Sequence, residues 1–327
     1  MAIGEFELIR KYFARPELSG AQGKYREGIQ AGIGDDCALL NIPKGMLLAQ
    51  SLDTLVESVH FPVGSDPYHL GFRALAVNLS DLAAMGAEPH SFTLGLTLPE
   101  VDESWLKSFS DGMARLAQQY GIALVGGDTT RGPLTLSLHV QGLVAKEQAL
   151  MRSGAKPGDL ICVTGTLGDA AGALTYVLSG EQLDSCEDDS VRYLLTRYWY
   201  PCPRLYAGQW LSKKGATAAL DISDGLLGDL GHILKASGVG ATIDPEIIPR
   251  SATLNRQFGK EKAISLALTG GDDYELCFTI PQSAVASLPS ILPDGCRITC
   301  IGQITDETGV IRNAKGEPLT AGSYTHF

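Results

Sequence analysis

The chain has 327 residues, 44% of them hydrophobic and 19% charged, with 38 glycines, which suits a folded protein of two domains and excludes a disordered one. A formal net charge of −11 excludes the basic surface that non-specific nucleic-acid binding requires. Seven scattered cysteines, odd in number and without a Cys-x-x-Cys, argue against a disulfide framework or a zinc site. The opening Met-Ala-Ile-Gly-Glu-Phe has neither a basic n-region nor an apolar core, and no apolar run approaches the roughly 20 residues of a spanning helix. A soluble, cytoplasmic protein is expected, with no membrane and no nucleic-acid partner.

In chain order, residues 5–13 predict a short amphipathic helix carrying Phe6, Ile9 and Phe13, and the polar stretch 19–30 predicts a mobile loop. Residues 46–52 read as a buried strand ending at Asp53. Phe72, Leu75, Leu79, Leu82 and Gly86 recur at helical spacing, and Ala74, Val77 and Ala84 occupy the other side. A helix apolar nearly all round is buried, so 70–86 places Asp81 inside the protein. Residues 122–125 predict a strand, followed by Gly126-Gly127-Asp128-Thr129-Thr130 and an alternating strand over 134–144. The pattern breaks at Ala155-Lys156-Pro157-Gly158, which puts the domain boundary near residue 150 and divides 1–150 from 151–327. The second half restarts with strand 160–164, the turn Gly165-Thr166-Leu167-Gly168-Asp169 and a helix. Strand 217–222, helix 224–236 and a strand over 274–280 follow. Strands interleaved with helices predict an α/β fold, layered as α+β, in both domains.

The chemistry concentrates in aspartates beside glycine or serine. They are Asp35 and Asp36 in Gly-Asp-Asp-Cys, Asp53 in Ser-Leu-Asp-Thr, Asp81 in Asn-Leu-Ser-Asp-Leu, and Asp128 in Gly-Gly-Asp-Thr-Thr. The second half adds Asp221 and Asp224 in Asp-Ile-Ser-Asp-Gly, and Asp272 and Asp273 in Gly-Gly-Asp-Asp-Tyr-Glu. Each alone reads more readily as a turn or helix-cap residue. Asp81 is the hardest to read that way, because a buried mid-helix carboxylate needs a partner. Together, carboxylates at strand ends converge on a sheet edge. Their mutual repulsion is relieved by hard divalent cations, and Mg²⁺ shares its positions with phosphate oxygens. The set therefore points to a multi-magnesium site for phosphoryl transfer. No GxxxxGK[ST], His-Arg-Asp or Asp-Phe-Gly is present, which excludes the P-loop and protein-kinase folds. Arg131 and Arg152 are candidates to neutralise phosphate, and the Gly165–Gly168 turn is a weaker one.

The segments Gly32-Ile-Gly-Asp-Asp-Cys-Ala, Val77-Asn-Leu-Ser-Asp-Leu, Gly126-Gly-Asp-Thr-Thr-Arg, Arg152-Ser-Gly-Ala-Lys-Pro-Gly-Asp, Asp221-Ile-Ser-Asp-Gly-Leu and Gly270-Gly-Asp-Asp-Tyr-Glu-Leu are collectively specific. In that order the chain resembles bacterial thiamine-monophosphate kinases, whose superfamily includes aminoimidazole ribonucleotide synthetase and selenophosphate synthetase. The resemblance implies an N-terminal domain that binds ATP and Mg²⁺ and pairs its sheet across a homodimer, and a C-terminal domain that completes the site. It implies several Mg²⁺ ions held by Asp36, Ser51, the Leu52 backbone, Asp53, Asp81, Asp128, Asp221 and Asp224. It also implies ATP contacts from Asp111, Gly127, Asp128, Arg152 and Ser223, and substrate contacts from His60, Asp272 and a C-terminal aromatic, for which Tyr324 and Phe327 are the candidates. Asp53, Asp81 and Asp128 are expected at the catalytic centre of a direct in-line transfer to thiamine monophosphate. Leu52 stands where the family has Thr, and Asp272 where it has Glu. A sister synthetase or a non-catalytic nucleotide-binding regulator are the alternatives; the retention of every acidic motif argues against the second.

Overall fold

The computed structural model describes residues 4–20 and 27–320. The chain divides into two compact units. One takes residues up to Leu82 with Ala87–Glu147, and the other takes Ala83–Gly86 with the chain from Gln148 onward.

The first unit opens with α1 (Glu5–Leu8), a π-helical turn (Ile9–Phe13) and α2 (Pro16–Ser19). The predicted helix over 5–13 is thus helical throughout but changes its winding. The Ala14 N–H donates to the Ile9 carbonyl at 2.9 Å, an i→i+5 bond. Leu8, Tyr12, Phe13 and Leu18 are buried, which fixes the segment. Of the expected loop 19–30, residues 21–26 lie outside the described residues. Residues 29 and 30 belong to β1 (Ile29–Ala31), which pairs antiparallel with β2 (Leu39–Leu40) and carries the Gly-Asp-Asp loop between them.

The unit is built on β3 (Met46–Val56), β4 (Glu88–Leu98), β5 (Ala123–Arg131) and β6 (Thr135–Ala145), in the order β3-β6-β4-β5. Only β4 and β5 are parallel. Alternation fixes the two faces. Phe92, Leu94, Leu96, Leu136, Leu138 and Val140 are buried, whereas Thr93, Gly95, Thr97, Ser137 and His139 between them are part-exposed. Helix α3 (Pro67–Ala84) lies on the buried face, where Leu82 reaches Gly142. It crosses α4 (Glu103–Tyr120) backbone to backbone. A Cβ on Gly71 would collide with the Phe109 carbonyl, and one on Gly112 with the Tyr68 carbonyl. Two strands are longer than predicted. β3 continues past Asp53 through Thr54, Leu55 and Val56, and β5 runs straight through Gly-Gly-Asp-Thr-Thr. Both extensions end in residues with high strand preference, and both are hydrogen-bonded to a neighbour along their length.

The second unit contains β7 (Leu160–Thr164), α5 (Asp169–Leu178), α6 (Asp189–Trp199), α7 (Leu205–Lys214), β8 (Ala218–Asp221), α8 (Leu226–Ser237) and β9 (Gly240–Ile243). Then follow α9 (Ala252–Phe258), α10 (Lys260–Thr269), β10 (Leu276–Ile280), β11 (Ile298–Thr305) and β12 (Ile311–Asn313). The sheet order is β12-β9-β11-β7-β10-β8, antiparallel except for β12 with β9. One core packs α8 on the sheet through Leu230, Ile233, Ile161 and Leu220, and a second joins α5, α6 and α9 through Ala173, Leu194, Tyr198 and Leu254. Both units are mixed α/β, but their sheets are mainly antiparallel. The convergence of strand ends expected of a parallel sheet therefore does not apply, and the acidic residues meet by other means. No described helix is long and apolar enough to cross a membrane.

Candidate active site

Asp53 is not a strand-end residue but lies within β3, on the buried face with Ser51 and Leu55. Residues two apart on a strand share a face, and residues three apart on a helix share one too. Ser51 and Asp53 consequently meet Asp81 and Asn78 of α3. Ser51 Oγ donates to Asp81 Oδ2 at 2.5 Å, and the Asp53 N–H donates to Asn78 Oδ1 at 3.2 Å. Asn78 is itself fixed, its Nδ2 donating to the Ala74 carbonyl at 2.9 Å. Burial, and then the Asp81 charge, push the Asp53 carboxyl up to about 6. Two like charges in a partly desolvated place are the setting a hard divalent cation relieves, and the donor set of two carboxylates and a hydroxyl fits Mg²⁺. Leu52 is 60% exposed and points to the opposite face. His60 sits just beyond β3, and its Nδ1 accepts the Val56 N–H at 3.0 Å, so the neutral ring carries its proton on Nε2.

A separate cavity of about 680 Å³ in the same unit has three walls. The Gly34–Cys37 loop contributes Asp35 and Asp36, β5 contributes Gly126, Gly127, Asp128 and Thr129, and the N-terminal helical segment contributes Phe6 and Arg10. Asp36 and Asp128 therefore share a cavity, whereas Ser51, Asp53 and Asp81 do not line it. Sheet register explains the separation. Asp128 pairs with Gly95, Gly95 with Ser137 and Ser137 with Thr54, a row on the face opposite to Asp53. Gly127 (φ +152°) lies against Leu94, and a Cβ there would collide with the Leu94 carbonyl. Asp111 does not line the cavity; its carboxylate is held at 2.6 Å by both Arg15 and Lys107.

In the second unit, Asp221 is the buried last residue of β8 and Asp224 lies in the turn that follows. Asp229, missed in the sequence, organises that turn. Its Oδ2 accepts the N–H groups of Ser223, Asp224 and Gly225 at 3.0, 3.0 and 3.1 Å. Burial pushes its carboxyl up to about 6, although the three amides pull the other way. The signal was available: an aspartate among Leu226, Leu227 and Leu230 in the first turn of α8. Asp272 has φ +69° and its N–H donates to the Ser223 carbonyl at 2.8 Å, so it is tied to the same turn. Tyr274 (φ +50°) donates its hydroxyl to Asp272 Oδ1 at 3.1 Å. Arg152 is exposed on the segment before β7, and Tyr324 and Phe327 lie outside the described residues.

The sequence also hid what holds the Gly-Gly-Asp-Asp-Tyr-Glu segment. Its alternate residues Asp273 and Glu275 point inward and are buried. Asp273 Oδ2 accepts the Gly168 N–H at 2.7 Å. Glu275 accepts Thr164 Oγ1 at 2.7 Å, a two-point grip from Arg204 at 2.5 and 2.6 Å, and Arg197 at 2.9 Å. Burial raises the Glu275 carboxyl, but the two guanidiniums outweigh it and hold it below its ordinary range. The Gly165–Gly168 turn, a phosphate candidate by composition, thus gives its Gly168 amide to the protein's own carboxylate. Gly165 is packed against Glu275, where a Cβ would collide. That turn is structural.

Residues 34–144 match the family described as AIR synthase related protein, N-terminal domain, and residues 156–314 match the corresponding C-terminal domain. The chain is 50% identical to the thiamine-monophosphate kinase of Escherichia coli (strain K12), covering 100% of this chain and 99% of that one. It is similar to the crystal structure of thiamine-monophosphate kinase from Stenotrophomonas maltophilia K279a, at 46% identity and TM-score 0.83 over 90% of this chain and 93% of that one. It is also similar to AaThiL complexed with AMPPCP and TMP, at 30% identity and TM-score 0.78 over 100% of this chain and 99% of that one. The chain belongs to the AIR synthase related family and, within it, to the thiamine-monophosphate kinases.

Proposed function

We infer that this chain transfers the γ-phosphoryl group of ATP to thiamine monophosphate, giving thiamine diphosphate and ADP. The full-length identity to thiamine-monophosphate kinases carries the reading, and the relative bound to AMPPCP and TMP accords with both substrates. The attacking atom is a terminal phosphate oxygen, already anionic near neutral pH, so no strong general base is required. What the protein must supply is position and charge compensation for two polyanions.

We propose that Asp53 and Asp81, with Ser51, Asp36, Asp128 and the Leu52 backbone, hold magnesium in the first unit, and that Asp221 and Asp224 do so in the second. Bound Mg²⁺ supplies the positive charge that offsets the phosphates and the charge developing on the leaving group. Ser51 and Asn78 fix the acidic pair before any ligand arrives, so less reorganisation is left for the reaction. Asp111, Gly127, Asp128, Arg152 and Ser223 are proposed for the nucleotide, and His60, Asp272 and Tyr324 for thiamine monophosphate. The seven free cysteines accord with a cytoplasmic setting.

The test is incubation of purified protein with ATP, Mg²⁺ and thiamine monophosphate, with chromatographic separation of products. Equal amounts of thiamine diphosphate and ADP, abolished by a chelator, are expected. Asp53→Asn should lower turnover at least about 100-fold with an unchanged circular dichroism spectrum. ADP formed on another acceptor alone would move the chain to a sister activity, and near-normal turnover by Asp53→Asn would remove that residue from the centre.

A further inference from the structure

The cavity of the first unit has one wall to which no role is yet assigned. The segment from α1 through the π-turn is firmly seated: Leu8, Tyr12 and Phe13 are at most 4% exposed. Tyr12 Oη donates to Glu103 Oε2 at 2.8 Å, Lys11 pairs with the same carboxylate, and Arg15 pairs with Asp111 at 2.6 Å. Against this anchoring, Phe6 is 80% exposed and Arg10 is exposed, and both line the cavity. Positions four apart on a helix are neighbours, so the ring and the guanidinium form one surface.

Two observations make this surface more than a chance exposure. A phenylalanine left in water beside the buried Leu8, Tyr12 and Phe13 forgoes the burial those apolar neighbours achieve, and it does so at a concave site rather than on a convex one. Among the described residues that line the cavity with Asp35, Asp36 and Asp128, Arg10 is the only cation, and it forms no ion pair with any of those three. The rest of the lining is also divided. Ile9, Phe13, Ile33 and Leu124 are apolar, and the acidic groups come from the Gly34–Cys37 loop and β5. An apolar side with an exposed aromatic, an acidic side suited to metal-bound phosphates, and a guanidinium not paired with those acids match a molecule with a flat base and a polyanionic tail.

We propose that Phe6 and Arg10 are nucleotide-binding residues, Phe6 stacking on the purine base of ATP and Arg10 contacting its phosphate chain. This rests on the kinase reading above. It also gives Asp111 a part that does not require it to touch the nucleotide: through Arg15 it fixes the wall that does. Arg10 lies within the π-turn beside the buried Tyr12 and Phe13, and such turns recur at functional sites.

Steady-state kinetics of Phe6→Ala and Arg10→Ala, together with calorimetric titration of AMPPCP in Mg²⁺ without thiamine monophosphate, test the proposal. Each variant is expected to raise KM for ATP and weaken AMPPCP binding about tenfold or more, with KM for thiamine monophosphate within about twofold of the parent. Inhibition by inorganic tripolyphosphate, which has no base, should weaken in Arg10→Ala and not in Phe6→Ala. Both residues are exposed, so the variants should fold, and thermal unfolding checks that. AMPPCP affinity unchanged in both variants would overturn the proposal. If the parent enzyme makes no thiamine diphosphate, the kinase reading fails by itself, and the AMPPCP titrations still decide the role of the wall.

Discussion

Asp273 and Glu275 are two buried carboxylates, two residues apart, whose titration is pushed in opposite directions. Three buried acids, Asp169, Asp273 and Glu275, face two guanidiniums, Arg197 and Arg204. Glu275 takes the grip of both. Asp273 has one amide, and its Oδ1 has no hydrogen-bond partner among the described residues. Burial raises its carboxyl well above the ordinary range, and the Asp169 and Glu275 charges add to that. A neutral Asp273 balances the cluster at two charges of each sign. The sign of the pH effect follows. The contribution to stability is full below the ordinary carboxylate value and is lost as pH rises towards the raised one, because the unfolded chain ionises first. Asp273→Asn copies the neutral acid in shape. Urea unfolding from pH 5 to pH 8 should show the stability of the variant gaining on the parent as pH rises. Parallel curves would mean that Asp273 is ionised in the fold.

At the scale of elements, β5 is the piece on which the nucleotide reading depends most. Its Gly127 lies so close to the Leu94 carbonyl of β4 that no side chain fits. Gly127→Ala should cost about 1–3 kcal/mol in thermal unfolding and raise KM for ATP, through displacement of Asp128. A variant with parent-like stability and KM would show that the strand yields there. The same strand marks where the sequence is readable and where it is not. The alternation over 134–144 locates β6 to within a residue, and Leu75, Leu79 and Leu82 locate α3 because their period is helical. Asp53 and Gly126-Gly127-Asp128 read as terminators because aspartate and glycine have low strand preference. Pairing with β6 and β4 overrides that preference, and a partner strand is invisible in the local sequence. Asp229 was hidden differently. Ser223 and Asp224 already look like a helix cap, so nothing in the pattern calls for a further carboxylate, yet that carboxylate gathers the three amides of the turn. The wall carrying Phe6 and Arg10 was legible as an amphipathic segment. Its change to π winding from Ile9 onward was not.

For the whole molecule, the exposed face of the first unit's sheet carries the largest consequence. Leu52, His139 and Thr93 lie in one row across β3, β6 and β4, and Leu52 is largely exposed. An open sheet face carrying an exposed leucine is a surface a partner can cover. We propose that a second copy of the chain covers it, as the family resemblance implies. Sedimentation equilibrium at micromolar concentration should give twice the chain mass, and Thr93→Arg, a cation placed in that row, should shift it to the monomer. A monomeric parent would remove the homodimer from the account.

The cluster around Glu275 has a further consequence, for how the second unit comes into being. Thr164 and Gly168 meet Glu275 and Asp273 across 111 and 105 residues of chain. Closing so long a loop loses entropy before either buried ion pair can form. Such high contact order makes the assembly of β7 against β10 the slow event, and until it happens two arginines and three acids remain in water. The unit is thus expected to refold late and all at once, its buried charges entering together as mutual counterions.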